Sequence, residues 1–391
     1  MLPAGRHPMS GELPRRSTRL ASAAAVIAVA LAAAPTAGTT GNASPTDAES
    51  LAHVATSLVG AGAPGAVVVA RTPGGVRRAV AGVARIRPRL GLRATDRYRV
   101  ASVTKPFVAA VVLQLEAQGT LRLDDRVERW VHGLLPNGRA ITLRMLLGHT
   151  SGLFDYDDDT GWVRARIADP SRTWSPRQLV AIAARHRPVF APGTDWSYSN
   201  TNYVVLGLVI EAATGNTLGR ELEARLFGPL ELRATSYPAG TRMPAHAAHG
   251  YLGAAPGLRI PPGRLVDVTT RVSPSAWGAG QIVSTADDLT RFFAALLGGR
   301  VLPADQLREM KTEVEGTGPV AFTAPYGLGL DIRHMPCGTA YGHEGDMPGY
   351  RNAAWASSDG RRAAAVMVNV GSARVTWDAI RRAASAAFCS R

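Results

Sequence analysis

Two side chains able to share a proton stand three residues apart in Tyr98-Arg-Val-Ala-Ser-Val-Thr-Lys-Pro-Phe107. The Ser102 hydroxyl becomes a nucleophile only when a neighbour accepts its proton. An arginine stays protonated and cannot do so, whereas a lysine can once desolvation or a nearby cation lowers its pKa. The chain carries 44 lysines and arginines, and only two of them, Lys105 and Lys311, are lysines. In so arginine-biased a sequence, Lys105 reads as chosen for a removable proton. Residues three apart on a helix share a face, and a helix start aims free backbone N–H groups at an oxyanion formed nearby. Pro106 suits such a first turn. Ser-x-x-Lys alone is a weak motif, equally satisfied by a solvated lysine and a capping serine.

Two further segments add weight. Tyr198 and Asn200 lie in Asp195-Trp-Ser-Tyr-Ser-Asn-Thr-Asn-Tyr203, just before an apolar helix. A tyrosine beside Lys105 could be held as phenolate or shuttle a proton to a leaving group, and an asparagine offers both donor and acceptor to a substrate amide. His343, Glu344 and Gly345 follow in Tyr341-Gly-His-Glu-Gly-Asp-Met-Pro-Gly-Tyr350, where glycines let backbone approach a substrate closely.

The elements around these segments define a fold class. Ala66 to Ala70 and Arg77 to Val83 are apolar runs joined by Thr72-Pro-Gly-Gly75, a hairpin signal repeated near the C-terminus by Arg351 to Ala356 and Ala363 to Val370. Between them the chain reads mainly helical, over Phe107–Gln118, Pro176–Ala184 behind the cap Ser175, Tyr203–Ala213 and Asp287–Leu297, with Trp377–Phe388 as a closing helix. This pattern predicts an α+β fold: an antiparallel sheet from both chain ends, flanked by helices, with a mostly helical second lobe over about residues 120–275.

The 391 residues, 46% hydrophobic and 19% charged, suffice for a sizeable core. Arg6, Arg15, Arg16 and Arg19 precede an apolar stretch, Leu20 to Ala34, and then small residues. This is a secretory leader pattern, shorter than the roughly 20 apolar residues of a spanning helix. Residues 1–40 are therefore expected to be a signal peptide and linker, and 48–391 a secreted domain with no integral membrane segment. In that oxidising setting Cys337 and Cys389 are expected to form a disulfide, which across a sequence separation of 52 stabilises by about 4 kcal/mol. The net charge of +14 is arginine scattered along the whole length, which argues against a nucleic-acid partner and allows non-specific attraction to an anionic cell envelope.

Taken in order, the three segments resemble the serine penicillin-binding proteins and class C-type β-lactamases, with Tyr-Ser-Asn and His-Glu-Gly in the second and third motif positions. The likeness covers about residues 60–389 and includes Leu146-Leu-Gly-His-Thr-Ser-Gly-Leu-Phe154, Asn200-Thr-Asn-Tyr-Val-Val-Leu-Gly207, Ser284-Thr-Ala-Asp-Asp-Leu289 and Tyr326-Gly-Leu-Gly-Leu330. It is closest to soluble, secreted D-alanyl-D-alanine carboxypeptidases. The resemblance implies a β-lactamase/transpeptidase-like fold with Ser102 as nucleophile and Lys105 and Tyr198 as the proton-handling pair, either of which could take the serine proton. It further implies Asn200 as substrate amide partner, His343 as electrostatic support for Tyr198, and an oxyanion hole from the backbone N–H groups of Ser102 and Asp346 beside Gly345.

Two positions depart from that pattern. Glu344 replaces a hydroxyl that helps to recognise a substrate carboxylate, and Asp331 replaces an arginine, with Arg333 two residues on. Two carboxylates about 4 Å apart repel by about 4 kcal/mol at an effective dielectric of about 20, enough to undo such recognition unless Arg333 rescues it or Glu344 points away. Asp155, Asp157, Asp158 and Asp159 add an acidic rim. The expected activity is acyl transfer from a small peptide, lactam or ester to water. D-alanyl-D-alanine carboxypeptidase stands first, with esterase, D-aminopeptidase and β-lactamase behind it, and a slowly acylating penicillin-binding protein as the reading from a different class. No cofactor or metal is needed: Asp155-x-Asp-x-Asp159 misplaces the glycine of a calcium loop, and no Gly-x-Ser-x-Gly elbow is present.

Overall fold

The computed structural model describes residues 51–254, 260–271, 273, 276–315 and 325–390. The expected leader and linker lie outside the described residues. The first apolar runs form the hairpin β1 (Gly65–Thr72) and β2 (Gly75–Arg85), with Thr72 opposite Gly75, whose φ of +129° only glycine adopts readily. A short β3 (Leu90–Gly91) extends this edge. The C-terminal region supplies β4 (Asp331–Met335), β5 (Gly338–Met347), β6 (Tyr350–Ser357) and β7 (Ala363–Val368). The seven strands run in the order β3-β2-β1-β7-β6-β5-β4 and every pairing is antiparallel. The two chain ends meet at β1 and β7, with Ala66 opposite Val368 and Arg71 opposite Ala363.

Both faces of this sheet are covered, which is why β7 is apolar and buried at every position rather than alternating. On one face Ala66, Val68 and Ala70 pack with α1 (Leu51–Gly60); Val67 and Val69 face the other core, which contains α2 (Thr104–Ala117). Eleven of the 14 residues of α2 are buried, the signature of a helix enclosed on all sides.

The helical lobe includes α3 (Thr160–Ala168), α4 (Pro176–Ala183) and α5 (Asn200–Thr214). Ser175 and Gln178 form the capping box that starts α4, and Gly215 in the left-handed region ends α5. The chain rejoins the sheet side earlier than expected, because Tyr251–Leu252 pairs in parallel with Val370–Gly371. Next, α6 (Ala286–Leu297) packs on the sheet with Phe292 stacked on Phe107 of α2, ring centroids 3.5 Å apart. Finally, α7 (Trp377–Cys389) closes the α1 face. A disulfide joins Cys337, in the β4–β5 turn, to Cys389 at the end of α7, with Cα atoms 5.5 Å apart. Among the described residues no helix is long and apolar enough to cross a membrane.

Candidate active site

Ser102 sits in a 3-10 turn, Ala101–Val103, that runs directly into α2. Ala101 takes a φ of 51°, left-handed for a residue with a Cβ, so the chain is strained immediately before the serine. One helical turn on, Lys105 is fully buried, and its Nζ donates to Ser102 Oγ at 2.9 Å, Asn200 Oδ1 at 2.8 Å and the Ala279 carbonyl at 2.9 Å. All three donors are thereby satisfied. Burial lowers its pKa to about 7, against the opposing pull of Asp155, Asp157 and Asp331.

Tyr198 is half-buried and hydrogen-bonds Ser102; desolvation pushes its phenol well above the ordinary value, so it is protonated at neutral pH. Its ring stacks on His149 with centroids 4.4 Å apart, and Lys105 Nζ lies 4.8 Å from its centre. His149 in turn holds the start of α5: Nδ1 accepts from Ser199 N–H at 3.1 Å and from the Asn202 amide at 2.9 Å. This is the structural part played by the Gly-His-Thr-Ser-Gly turn.

Strand β5 approaches the serine turn so closely that a Cβ on Gly345 would lie 2.1 Å from the Val100 carbonyl, which makes glycine obligatory there. This approach brings His343, Glu344 and Asp346 to the cleft. His343 is buried, hydrogen-bonds the Glu344 carbonyl through Nδ1 and Tyr326 OH through Nε2 at 3.2 Å, and has its pKa lowered to about 3, chiefly by burial and then by Lys105. It is therefore neutral, and its ring centroid stands 6.3 Å from that of Tyr198, so any support it gives Tyr198 is not that of a positive charge.

Glu344 faces the cleft and is held there by two arginines. Arg381 of α7 binds both its oxygens, at 2.8 and 2.9 Å, and Arg333 of β4 reaches it at 3.0 Å. Arg333 is thus engaged by Glu344 rather than presented to a substrate carboxylate. Asp331 is half-buried beside them, its carboxyl pushed up to about 7 by desolvation and then by Glu344, with Arg333 opposing. Asp346 pairs with Arg351 at 3.2 Å.

The opposite wall is acidic. Asp155 accepts from both Asn200 N–H and Asn200 Nδ2 at 3.0 Å, and Asp157 from the same Nδ2 at 3.3 Å. The Asn200 amide is therefore engaged by Lys105 on one side and by the two acids on the other, and it also lines the cleft beside Ser102. Asp159 instead caps α3 through Trp162 N–H and pairs with His186. Among the described residues no group of three His, Cys, Asp or Glu could hold a metal ion.

Two recesses meet at Ser102. One, of about 350 Å³, lies on the sheet side, lined by Trp196, Tyr326, Asp331, Glu344, Trp377 and Arg381; the other, of about 90 Å³, lies on the lobe side, lined by Tyr156, Asp157, Trp162, Arg166 and Ala276. Of the residues named from sequence, Ser102, Lys105, Tyr198, Asn200, Arg333 and the His343–Asp346 stretch gather here, while Cys337 and Cys389 form the disulfide. Sequence reasoning missed Arg381, which comes from a helix with no motif, and Tyr326, whose only signal was its place in Tyr326-Gly-Leu-Gly-Leu330.

Comparison with known proteins agrees with this geometry. The Beta-lactamase family profile matches residues 51–387. Penicillin-binding protein 4* of Bacillus subtilis is 30% identical over 69% of this chain, and the chain spans 60% of that relative's length. The crystal structure of a D-stereospecific amidohydrolase from Streptomyces sp. superposes with a TM-score of 0.76 at 38% identity, covering 88% of this chain and 99% of that one. D-amino acid amidase from Ochrobactrum anthropi SV3 superposes with a TM-score of 0.77 at 27% identity, covering 86% and 96%. With a serine and lysine in contact at the head of a buried helix, inside a sheet and lobe shared with these proteins, the chain belongs to the β-lactamase and penicillin-binding protein family of serine hydrolases.

Proposed function

We propose that this protein hydrolyses small amides or peptides whose acyl part carries a free amine, of the D-aminoacyl type, through an acyl-enzyme on Ser102. One observation carries the reading. On the sheet side the Glu344 carboxylate faces the cleft bonded to Arg333 and Arg381, and on the lobe side Asp157 faces the cleft with Arg166 no nearer than 3.9 Å. A carboxylate so placed suits an ammonium group on the acyl part. The 38% identity to a D-stereospecific amidohydrolase supports the same class and the D configuration. Release of a C-terminal D-alanine, the first expectation from sequence, requires the carboxylate recognition that Glu344 opposes.

The chemistry follows from the proton affinities. With its pKa near 7, Lys105 is in part unprotonated at neutral pH and takes the Ser102 proton as Oγ bonds to the carbonyl carbon. The oxyanion is held by the backbone N–H groups of Ser102 and Asp346. Tyr198, protonated and touching Ser102, passes a proton to the leaving nitrogen and is replenished by Lys105 as the C–N bond breaks. Water then attacks the acyl ester, gives its proton to the same pair, and the Ser102 oxygen recovers one.

The test is a comparison of kcat/KM for D-phenylalanine amide, its L enantiomer, a neutral short-chain ester and a D-Ala-D-Ala peptide. Preference for D-phenylalanine amide is expected; preference for the D-Ala-D-Ala peptide overturns the reading, and labelling by a fluorescent penicillin without turnover of any substrate would identify a slowly acylating binding protein instead. Action outside the cytoplasm is part of the proposal, supported by the leader pattern before residue 40 and the Cys337–Cys389 bond. Amino-terminal sequencing of material recovered from the medium checks it.

A further inference from the structure

The Asn200 amide has two orientations of nearly equal shape, and only one serves Lys105. With Oδ1 toward Lys105 it accepts the Nζ hydrogen bond at 2.8 Å; with the NH₂ group there, two donors would face each other. Something must select between them. Asp155 Oδ2 accepts from Asn200 Nδ2 and from the Asn200 backbone N–H, both at 3.0 Å, while its Oδ1 accepts Asp157 N–H at 3.1 Å. An oxygen already held by the Asn200 backbone N–H is an acceptor, and it favours the NH₂ orientation beside it.

We propose that Asp155 is a positioning residue for the reaction: its Oδ2, nearer to Asn200 Nδ2 than the Asp157 oxygen at 3.3 Å, holds the Asn200 amide with its own oxygen toward Lys105, and thereby keeps the amine against Ser102. The proposal rests on the reading of Ser102 and Lys105 as nucleophile and proton acceptor. Asp155 touches neither Ser102 nor the larger recess; it acts through Asn200.

Its charge acts on the same amine. Lys105 is faced by Asp155 and Asp157 from the loop, Asp331 from β4, His343 from β5, His149, and the rings of Tyr198 and Tyr203. The two histidines are neutral, so the three acids are the charges that favour protonated Lys105. Asp155 is itself pushed up to about 7, by burial and then by Asp157, and therefore titrates together with Lys105. Removing its charge leaves Lys105 to lose its proton at lower pH.

The experiment uses the full chain, D155N and D155A, and a neutral nitrophenyl ester, which carries no amine or carboxylate to bind. In D155A kcat is expected to fall about 10- to 100-fold with KM changed by less than about threefold. In D155N the acidic limb of kcat/KM is expected to move about half a pH unit or more lower and to sharpen to a single ionisation. Adding N200A to either variant is expected to cost little beyond N200A alone, since both act on one contact. A limb that does not move, losses that add, or a change confined to KM overturns the proposal. Should D155A fail to fold, D155N and its N200A double variant decide. Fluorophosphonate labelling of S102A runs alongside: persistent labelling refutes the serine reading, whereas silent S102A with unaffected D155N refutes the role of Asp155 only.

Discussion

The sheet-side and lobe-side walls of the cleft both carry carboxylates within reach of Ser102, yet they arrange charge in opposite ways. Glu344 is enclosed, only 13% exposed, and bonded by two guanidinium groups, one of them bidentate. Asp157 is 41% exposed and its cation stands at the limit of an ion pair. A carboxylate bonded by two guanidinium groups has little left for a ligand. The more exposed Asp157 carboxylate, bonded to Asn200 Nδ2 at 3.3 Å and to no close cation, keeps that capacity. The polarity of the cleft is thus set by which carboxylates are already paired, and not by how many each wall contains.

Substitutions in and between the walls test this contrast. The largest effect is expected between them, at Lys105: K105R keeps a charge but removes the usable acceptor, and kcat on any substrate should fall about 1,000-fold. A loss below about tenfold would mean that another group takes the proton. In the wild type, kcat/KM should rise with pH through about 7 as Lys105 loses its proton.

Breaking the lock comes next. E344Q leaves Arg333 and Arg381 without their counter-charge, and the kcat/KM ratio of a D-Ala-D-Ala peptide to D-phenylalanine amide should rise about tenfold, roughly 1.4 kcal/mol. An unchanged ratio would show that the arginines do not reach the leaving group. On the other wall, D157N should raise KM for D-phenylalanine amide by about five- to tenfold while altering KM for a neutral ester far less, because an exposed ion pair is worth about 1 kcal/mol. Equal effects on both substrates would remove the ammonium assignment.

The smallest effect concerns stability. The half-buried Asp331 carboxyl has a raised pKa, so the folded state holds its proton more tightly than the unfolded chain; the stability it contributes is fully present near pH 4 and is lost as pH rises through about 7. D331N should therefore raise Tm relative to wild type at pH 8, with the difference shrinking toward pH 5. A constant difference across that range would mean that Asp331 is not taken into the fold as an acid.

Much of the catalytic centre was legible before any coordinates because its signals are local. Ser102 and Lys105 lie one helical turn apart, and helical geometry alone brings them to one face. The hairpins were legible for the same reason: Thr72-Pro-Gly-Gly75 and Ser357-Ser-Asp-Gly360 sit between apolar runs, and three observed strands extend the predicted ones by one or two residues at each end while the fourth stops at Val368, two residues short. The structure brings Asn200 beside Lys105, but its other partners were not legible. Asp155 lies 45 residues before it, and no periodicity links a loop acid to a helix N-terminus across that distance.

Glu344 shows the same limit more sharply. From the sequence it was a carboxylate where a hydroxyl was expected, and its effect depended on whether Arg333 or the solvent would claim it. The deciding group was Arg381, 37 residues later on the closing helix, which the Cys337–Cys389 bond ties to the turn between β4 and β5. By itself, then, the sequence determined the Ser102–Lys105 pair, which rests on spacing within one element, the fold class, which rests on local patterns summed along the chain, and the order of the three motifs, which is read directly. Only the tertiary structure decided which charges remain free in the cleft, because pairing and desolvation depend on side chains brought together from opposite ends of the chain.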